Sequence, residues 1–221
     1  MKKRKAFLIV SAVVVGCFIL SVGGICYYKK REENRRANME VILLGANRSY
    51  LNSLAELEEY STIIVEGKAG KEREQRVLST TYVISINKEL PGEGYTNQKF
   101  NVTKVYSGDV KEGDKISVSQ QCFTWKYEDG TERLISRSAV KPYEKGETYL
   151  LFLKYNENRK VYEPVCDYQG IYPVKEMQKH ATTKNITQAD LSYIYHELEW
   201  EGLISMYEEV RRKYFEKQKL D

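Results

Sequence analysis

ETYLLFLKY, spanning Glu147–Tyr155, is the stretch on which the fold of this chain turns. It is apolar at both strand parities, through Leu150, Leu151, Phe152 and Leu153, and a strand of that pattern belongs inside a sheet with both faces covered. Working outward, Val161–Val165 and Gly170–Val174 read as two further short strands. Upstream, Ile116 and Val118 alternate with Ser117 and Ser119. Tyr82, Ile84 and Ile86 likewise alternate with Thr81, Val83, Ser85 and Asn87, the pattern of strands that bury one face. Phe100–Tyr106 and the run of Ile63, Ile64 and Val65 within residues 61–68 add two more. Gly108-Asp109 and Glu112-Gly113-Asp114 carry turn residues, so the segments on either side of them should form a hairpin.

Helices flank this block. Ser53-Leu54-Ala55-Glu56 has capping-box spacing, which predicts a short helix over residues 49–59 with Leu54, Leu57 and Tyr60 on one face. Thr187 to Asp190 offers an N-cap with an acidic third residue, opening a helix over residues 188–217. Its apolar stripe is Leu191, Ile194, Leu198, Leu203, Tyr207, Val210 and Tyr214. The expected class is therefore mainly β with flanking helices (α+β): a β-rich domain at 49–176 followed by a long amphipathic C-terminal helix within 177–221.

Ahead of the domain, AFLIVSAVVVGCFILSVGGICYY, residues 6–28, holds no charged side chain. As a helix it would be roughly 34 Å long, enough to cross a hydrocarbon core about 30 Å thick. Tyr27 and Tyr28 stand where an interfacial aromatic belt belongs. The expected arrangement is a single transmembrane anchor with a basic cytoplasmic N-terminus at 1–5, a charged stem at 29–48 and the domain outside the cell membrane. Both flanks are basic, so the orientation rests on a short basic N-terminus preceding an apolar stretch, the way an export signal begins. Two processed forms compete with the uncleaved anchor: cleavage after Ser21-Val22-Gly23, and lipidation at Cys17 of VVGC, Val14–Cys17. Phe18, Ile19 and Leu20 continue the apolar run where a lipoprotein turns polar.

The net charge of +4 misleads about partners. Residues 1–36 hold nine Lys/Arg against two Glu, +7, so residues 37–221 carry −3. A domain of that sign lacks the positive excess that drives binding to phosphate backbones, and no nucleic acid is expected as a partner. The inventory of reactive groups is also short. His180 and His196 are the two histidines, and neither stands in an HExxH pattern. Cys122 and Cys166 lack CxxC spacing, and Gly92-Glu93-Gly94 lacks the third glycine of a dinucleotide fingerprint. No metal or cofactor is called for, and nothing selects two carboxylates for hydrolysis from the many present. Cys122 and Cys166 remain open to two readings: a disulfide worth about 2–4 kcal/mol in an exported domain, or two buried thiols. Phe123, Trp125 and Tyr127 alternate on one strand beside Glu128-Asp129-Gly130, and such a row either stacks on a ligand or faces the core.

Four segments together carry a resemblance: YSTIIVEGKA (Tyr60–Ala69), KVYSGDVKEGDKISV (Lys104–Val118), YEKGETYLLFL (Tyr143–Leu153) and YQGIYPV (Tyr168–Val174). They resemble the exported, membrane-anchored domains of Gram-positive bacterial surface proteins, which in turn look like the netrin-module barrel of the tissue inhibitors of metalloproteinases, an OB-like fold. The resemblance implies an OB-like barrel over residues 50–176. Two departures accompany it. The inhibitors chelate a protease zinc through an N-terminal cysteine, and no residue here matches that role. An OB barrel also carries a helix between its third and fourth strands, whereas Gly108–Gly113 is only a tight connection, which leaves a small sandwich as the other architecture. The function expected is a non-catalytic, surface-anchored binding module whose partner is an envelope protein or a cell-wall polymer. A netrin-type protease inhibitor and a carboxylate-dependent envelope hydrolase are the alternatives.

Overall fold

The computed structural model describes residues 27, 31, 39–44, 50–137, 141–180 and 201–216. Residues 1–40 and 41–221 form two separate compact units, and the second holds the β-rich domain. The expected membrane segment lies, except for Tyr27, outside the described residues, as do residues 188–200 and 217 of the expected C-terminal helix. Among the described residues no helix is long and apolar enough to cross a membrane.

In chain order the elements are β1 (Val41–Leu43), α1 (Leu54–Glu59), β2 (Ile63–Val77), β3 (Thr80–Val83), β4 (Lys88–Pro91), β5 (Gly94–Ser107), β6 (Lys115–Gln120), β7 (Cys122–Lys126) and β8 (Glu132–Ser136). Then come β9 (Thr148–Asn156), β10 (Val161–Pro164), β11 (Ile171–Pro173), α2 (Val174–His180) and α3 (Glu201–Arg211), the last closing in a wide π turn, Arg212–Glu216. The principal sheet has the order β10-β6-β5-β2-β9-β11, and β10 also bonds to β9, so β2, β5, β6, β10 and β9 follow one another in a closed cycle. All pairings around it are antiparallel except β10 with β6. A second sheet, β1-β8-β7, and a two-stranded hairpin of β3 and β4 complete the strands.

β9 behaves as its composition requires. Tyr149 through Leu153 are all buried. On one face Tyr149 packs edge-on against Phe100 of β5 and Tyr143; on the other, Phe152 meets Tyr172 and Tyr214 with ring centroids 5.8 and 5.6 Å apart. The second cover comes from the C-terminal segment, whose Leu203, Met206, Tyr207, Val210 and Tyr214 are buried at helical spacing. Tyr214 donates to Glu58 Oε1 at 2.6 Å, and Glu209 Oε2 accepts from the Leu54 N–H, tying this segment to α1 at both ends.

α1 is capped as its sequence predicts: Ser53 Oγ accepts from Glu56 N–H while Glu56 Oε2 accepts from the Asn52 N–H at 2.7 Å. Leu54 and Leu57 are buried, but Tyr60 ends the helix exposed, off the expected face. The segment before α1 is clamped by Gln169, a fully buried side chain in the 3-10 turn after β10, which donates to Leu51 O and accepts from Leu51 N–H, each at 2.9 Å. Gly170 beside it approaches the Phe152 carbonyl so closely that a Cβ would lie 2.6 Å from that oxygen.

Two strand assignments need correction. Gly170–Val174 is a strand only over Ile171–Pro173, since Val174 opens α2. The alternating run expected to continue through Tyr82, Ile84 and Ile86 is a strand only to Val83, Ile84–Ile86 forming a 3-10 turn, and Tyr82 and Ile84 bury no face. β2 continues nine residues past Lys68, where its pairing with β9 ends, and β5 accompanies it. The result is an arm in which β2 forms a free edge, residues 71–77 all exposed, while β6 pairs the other side of β5 as far as Thr96, and the β3–β4 hairpin tips it. At that tip Tyr82 is 59% and Ile84 85% exposed. The arm exists because its backbone groups pair with each other, not because its side chains need a core.

Candidate functional site

The aromatic row singled out by the sequence lies on β7 and the residue just after it, and β7 meets the outer end of the arm. Phe123 is buried at 2% exposure against Gly94, where a Cβ would stand 2.6 Å from its Cδ1; it therefore offers no ring face to a ligand. Trp125 is half-buried with its Nε1 enclosed and without a partner among the described residues. Tyr127, also half-buried, is covered by the Arg133 guanidinium at 4.9 Å from the ring centre. Phe123 packs β7 against the arm, assisted by Gln75, whose side chain accepts from Thr124 N–H and donates to Thr124 O, both at 2.7 Å.

Cys122 and Cys166, open to two readings in the sequence, are free thiols here. Cys122 is fully buried with its Sγ 3.9 Å from Gln120 Oε1, and burial pushes its thiol up to about 11. Cys166 is half-buried in a left-handed backbone conformation, and burial followed by Asp167 lifts its thiol too. Both are poor nucleophiles in that state.

The groups that do converge lie on the outward face of β5 and β6, beside β10. Inward positions Phe100, Val102, Ile116 and Val118 are buried, which turns Lys99, Ser117 and Lys115 outward. The hairpin register sets Lys99 opposite Ser117 and Asn101 opposite Lys115. β10 joins β6 in parallel through Tyr162 and Val118, and β9 sets Tyr155 opposite Tyr162 with ring centroids 5.0 Å apart. The loop between β9 and β10 adds Lys160. These residues line an open cleft of about 420 Å³, with Lys99, Lys115 and Lys160 as its cations and Asp114 as its acid. Burial raises the Tyr162 phenol above its ordinary value, with Tyr155, Asp109 and Asp114 adding to the effect, so the ring stays neutral.

The same face continues past the cleft. Arg159 stacks on Tyr95 at 3.6 Å, donates to Glu163 at 2.6 Å and to Ser119 Oγ at 2.8 Å, and keeps a buried Nε without a partner. Asn97, which faces Ser119 across the β5–β6 ladder, has a buried Oδ1 likewise unpartnered. A donor and an acceptor thus stand unused at one end of a row of cations and rings, and leaving such groups buried unpaired is costly. What this surface can do chemically is bind: ammonium groups attract anions and ring faces stack on flat apolar surfaces. Among the described residues no three His, Cys, Asp or Glu side chains gather at metal-binding distance. His180 is engaged elsewhere, its Nδ1 3.0 Å from Tyr207 OH between α2 and α3.

No family model, curated protein or solved structure matches this chain. The cleft is therefore read from its own residues. Sequence reasoning missed it because lysines at outward strand positions look like any solvated lysine until the strands are paired.

Proposed function

We propose that this chain is a non-catalytic binding module, held at the cell surface by residues 6–28, whose domain is an OB-like barrel that grips an anionic, chain-like ligand along β5 and β6. Support for the barrel comes from strand order. Numbered along the cycle's own strands, β2, β5, β6, β9 and β10 are first to fifth, and they neighbour one another as 1-2-3-5-4, with the third and fifth parallel. Gly108–Gly113 then joins the second and third strands, where a tight turn belongs. The connection from third to fourth, residues 121–147, carries the β7–β8 hairpin in the position of a helix. Barrels of this order bind oligosaccharides and other chains across their second and third strands and the loop between the fourth and fifth. In this protein those elements are β5, β6 and the segment bearing Lys160.

The observation that carries the reading is the cleft itself, three lysines around the Tyr155–Tyr162 pair. Its local charge is positive although residues 37–221 are net negative, so the attraction is confined to one face. Dextran sulfate against unsulfated dextran separates charge from sugar stacking. The purified chain should bind the sulfated polymer, with a salt slope of about −2 if each of the three lysines displaces roughly 0.7 counterion. Replacing Lys99, Lys115 and Lys160 with Glu should abolish that binding while the fold stays intact. Retention of binding by the triple variant would sink the proposal.

A further inference from the structure

The arm formed by β2 and β5 divides its chemistry along its length. From Lys71 to Arg76 five of six residues are charged, whereas from Val77 to Pro91 only Lys88 and Glu89 are. In that second stretch Leu78 is 61% exposed, and Val77, Tyr82 and Ile84 are exposed with it. The hairpin holding them is closed by Tyr82 OH donating to Asn87 Oδ1 and by Asn87 itself in a left-handed turn. An apolar tip on a charged shaft is costly to leave in water and has no core of its own to enter.

Where the chain enters the domain says what lies near that tip. Strand β1 follows directly on residue 40 and pairs with β8 from Val41 opposite Leu134; Leu134 faces Thr124 of β7, which bonds Gln75 at the outer end of the arm, where the Arg137–Glu93 ion pair at 2.6 Å also braces it. The twelve residues 29–40 that separate the uncharged segment from β1 span at most about 42 Å when fully extended. Beyond β9 the ladder runs six residues on β5, Phe100 to Gly94, about 20 Å, before its hairpin begins, and β6 accompanies it as far as Thr96. The sheet that receives the chain at Val41 is thus the one that braces the outer end of the arm, and the lead from residue 28 to it is short.

We infer that the tip of this arm, Leu78, Tyr82 and Ile84, seats in the interfacial layer of the bilayer that residues 6–28 cross; the inference rests on that anchoring. Tyr82 suits the headgroup level and Ile84 the acyl boundary beneath it. With Lys88 and Glu89 cancelling, the contact depends on burial and not on lipid charge, so it should form on neutral lipid.

The test uses the full chain reconstituted into phosphatidylcholine vesicles, flotation reporting the anchor and tryptophan fluorescence reporting the tip. Ile84→Trp is compared with Asp109→Trp, an exposed position in the turn at the other end of β5, and the unsubstituted chain is the blank for Trp125 and Trp200. Bromine on the acyl chains should quench the Ile84→Trp signal at least about twofold and leave the Asp109→Trp signal unchanged, as expected of a side chain at interfacial depth. If the chain floats but both positions quench alike, the anchoring stands and the docked tip is refuted. A blue shift at position 84 that grows with protein concentration, without quenching, would assign the tip to a second copy and overturn the inference. A chain that fails to float refutes the anchoring and takes the docked tip with it.

Discussion

Gln169→Ala should cost the domain about 2–5 kcal/mol although it removes only one polar side chain. Gln169 is fully buried, and its amide makes two bonds of 2.9 Å to the backbone of Leu51, residues 118 positions apart in sequence. Truncation leaves one N–H and one C=O without partners in a closed site, at about 1–3 kcal/mol each. In a domain of this size that lowers the melting temperature by roughly 5–15 °C. Urea titration of the purified chain, followed by the near-ultraviolet dichroism of its packed tyrosines, reads the change as a shift in midpoint at constant slope. Gln169→Glu sharpens the test. The carboxyl must be protonated to donate to Leu51 O, so its folded pKa is raised above the unfolded value of about 4.3. Its contribution is then whole below that value and lost as pH rises through the folded one, which makes the variant nearly normal in acid and weak at neutral pH. A midpoint shift that, multiplied by the slope, comes to less than about 0.5 kcal/mol in the Ala variant would mean that the Leu51 backbone is satisfied elsewhere, and the clamp would be refuted.

Gly94→Ala sets a Cβ 2.6 Å from Phe123 Cδ1 and 2.9 Å from the Arg76 carbonyl, and should destabilise by about 1–3 kcal/mol, partly restored by Phe123→Leu in thermal melts. Cys122, whose thiol burial pushes up to about 11 from its ordinary 9, favours the fold below the lower value. That contribution, about 2–3 kcal/mol, disappears as pH climbs through the upper one, so alkaline unfolding curves of Cys122→Ala should be flatter there. At pH 8 a thiol reagent, with peptides resolved by mass spectrometry, should label Cys166 well before Cys122.

How much of this was legible in the sequence depends on whether the signal is local. β9 was legible because burial on both faces forces four consecutive apolar residues, Leu150–Leu153, whatever the neighbours are. The arm was not. Alternation at Tyr82, Ile84 and Ile86 suits a strand, but the chain turns at Ile84–Ile86 to form the hairpin tip, and Tyr82 and Ile84 are left bare there. The polar stretch Lys71–Arg76 belongs to β2 because β5 pairs with its backbone, a term hydropathy does not contain. Alternation puts Phe123 on a strand but not on a face; Gly94, invisible as a neighbour in sequence, is what buries it. The cleft divides along the same line. The turn residues at Gly108–Gly113 predict the β5–β6 hairpin, and its register brings Lys99 opposite Ser117 and Asn101 opposite Lys115, so half of the site was derivable from a correct hairpin. The other half was not, because Tyr155, Lys160 and Tyr162 arrive through the parallel pairing of β10 with β6, more than 40 residues apart. Parallel contacts of that range leave no turn signature in the chain. That closing strand, which converts a row of solvated lysines into a lined cleft, is the element that gives this surface its chemistry.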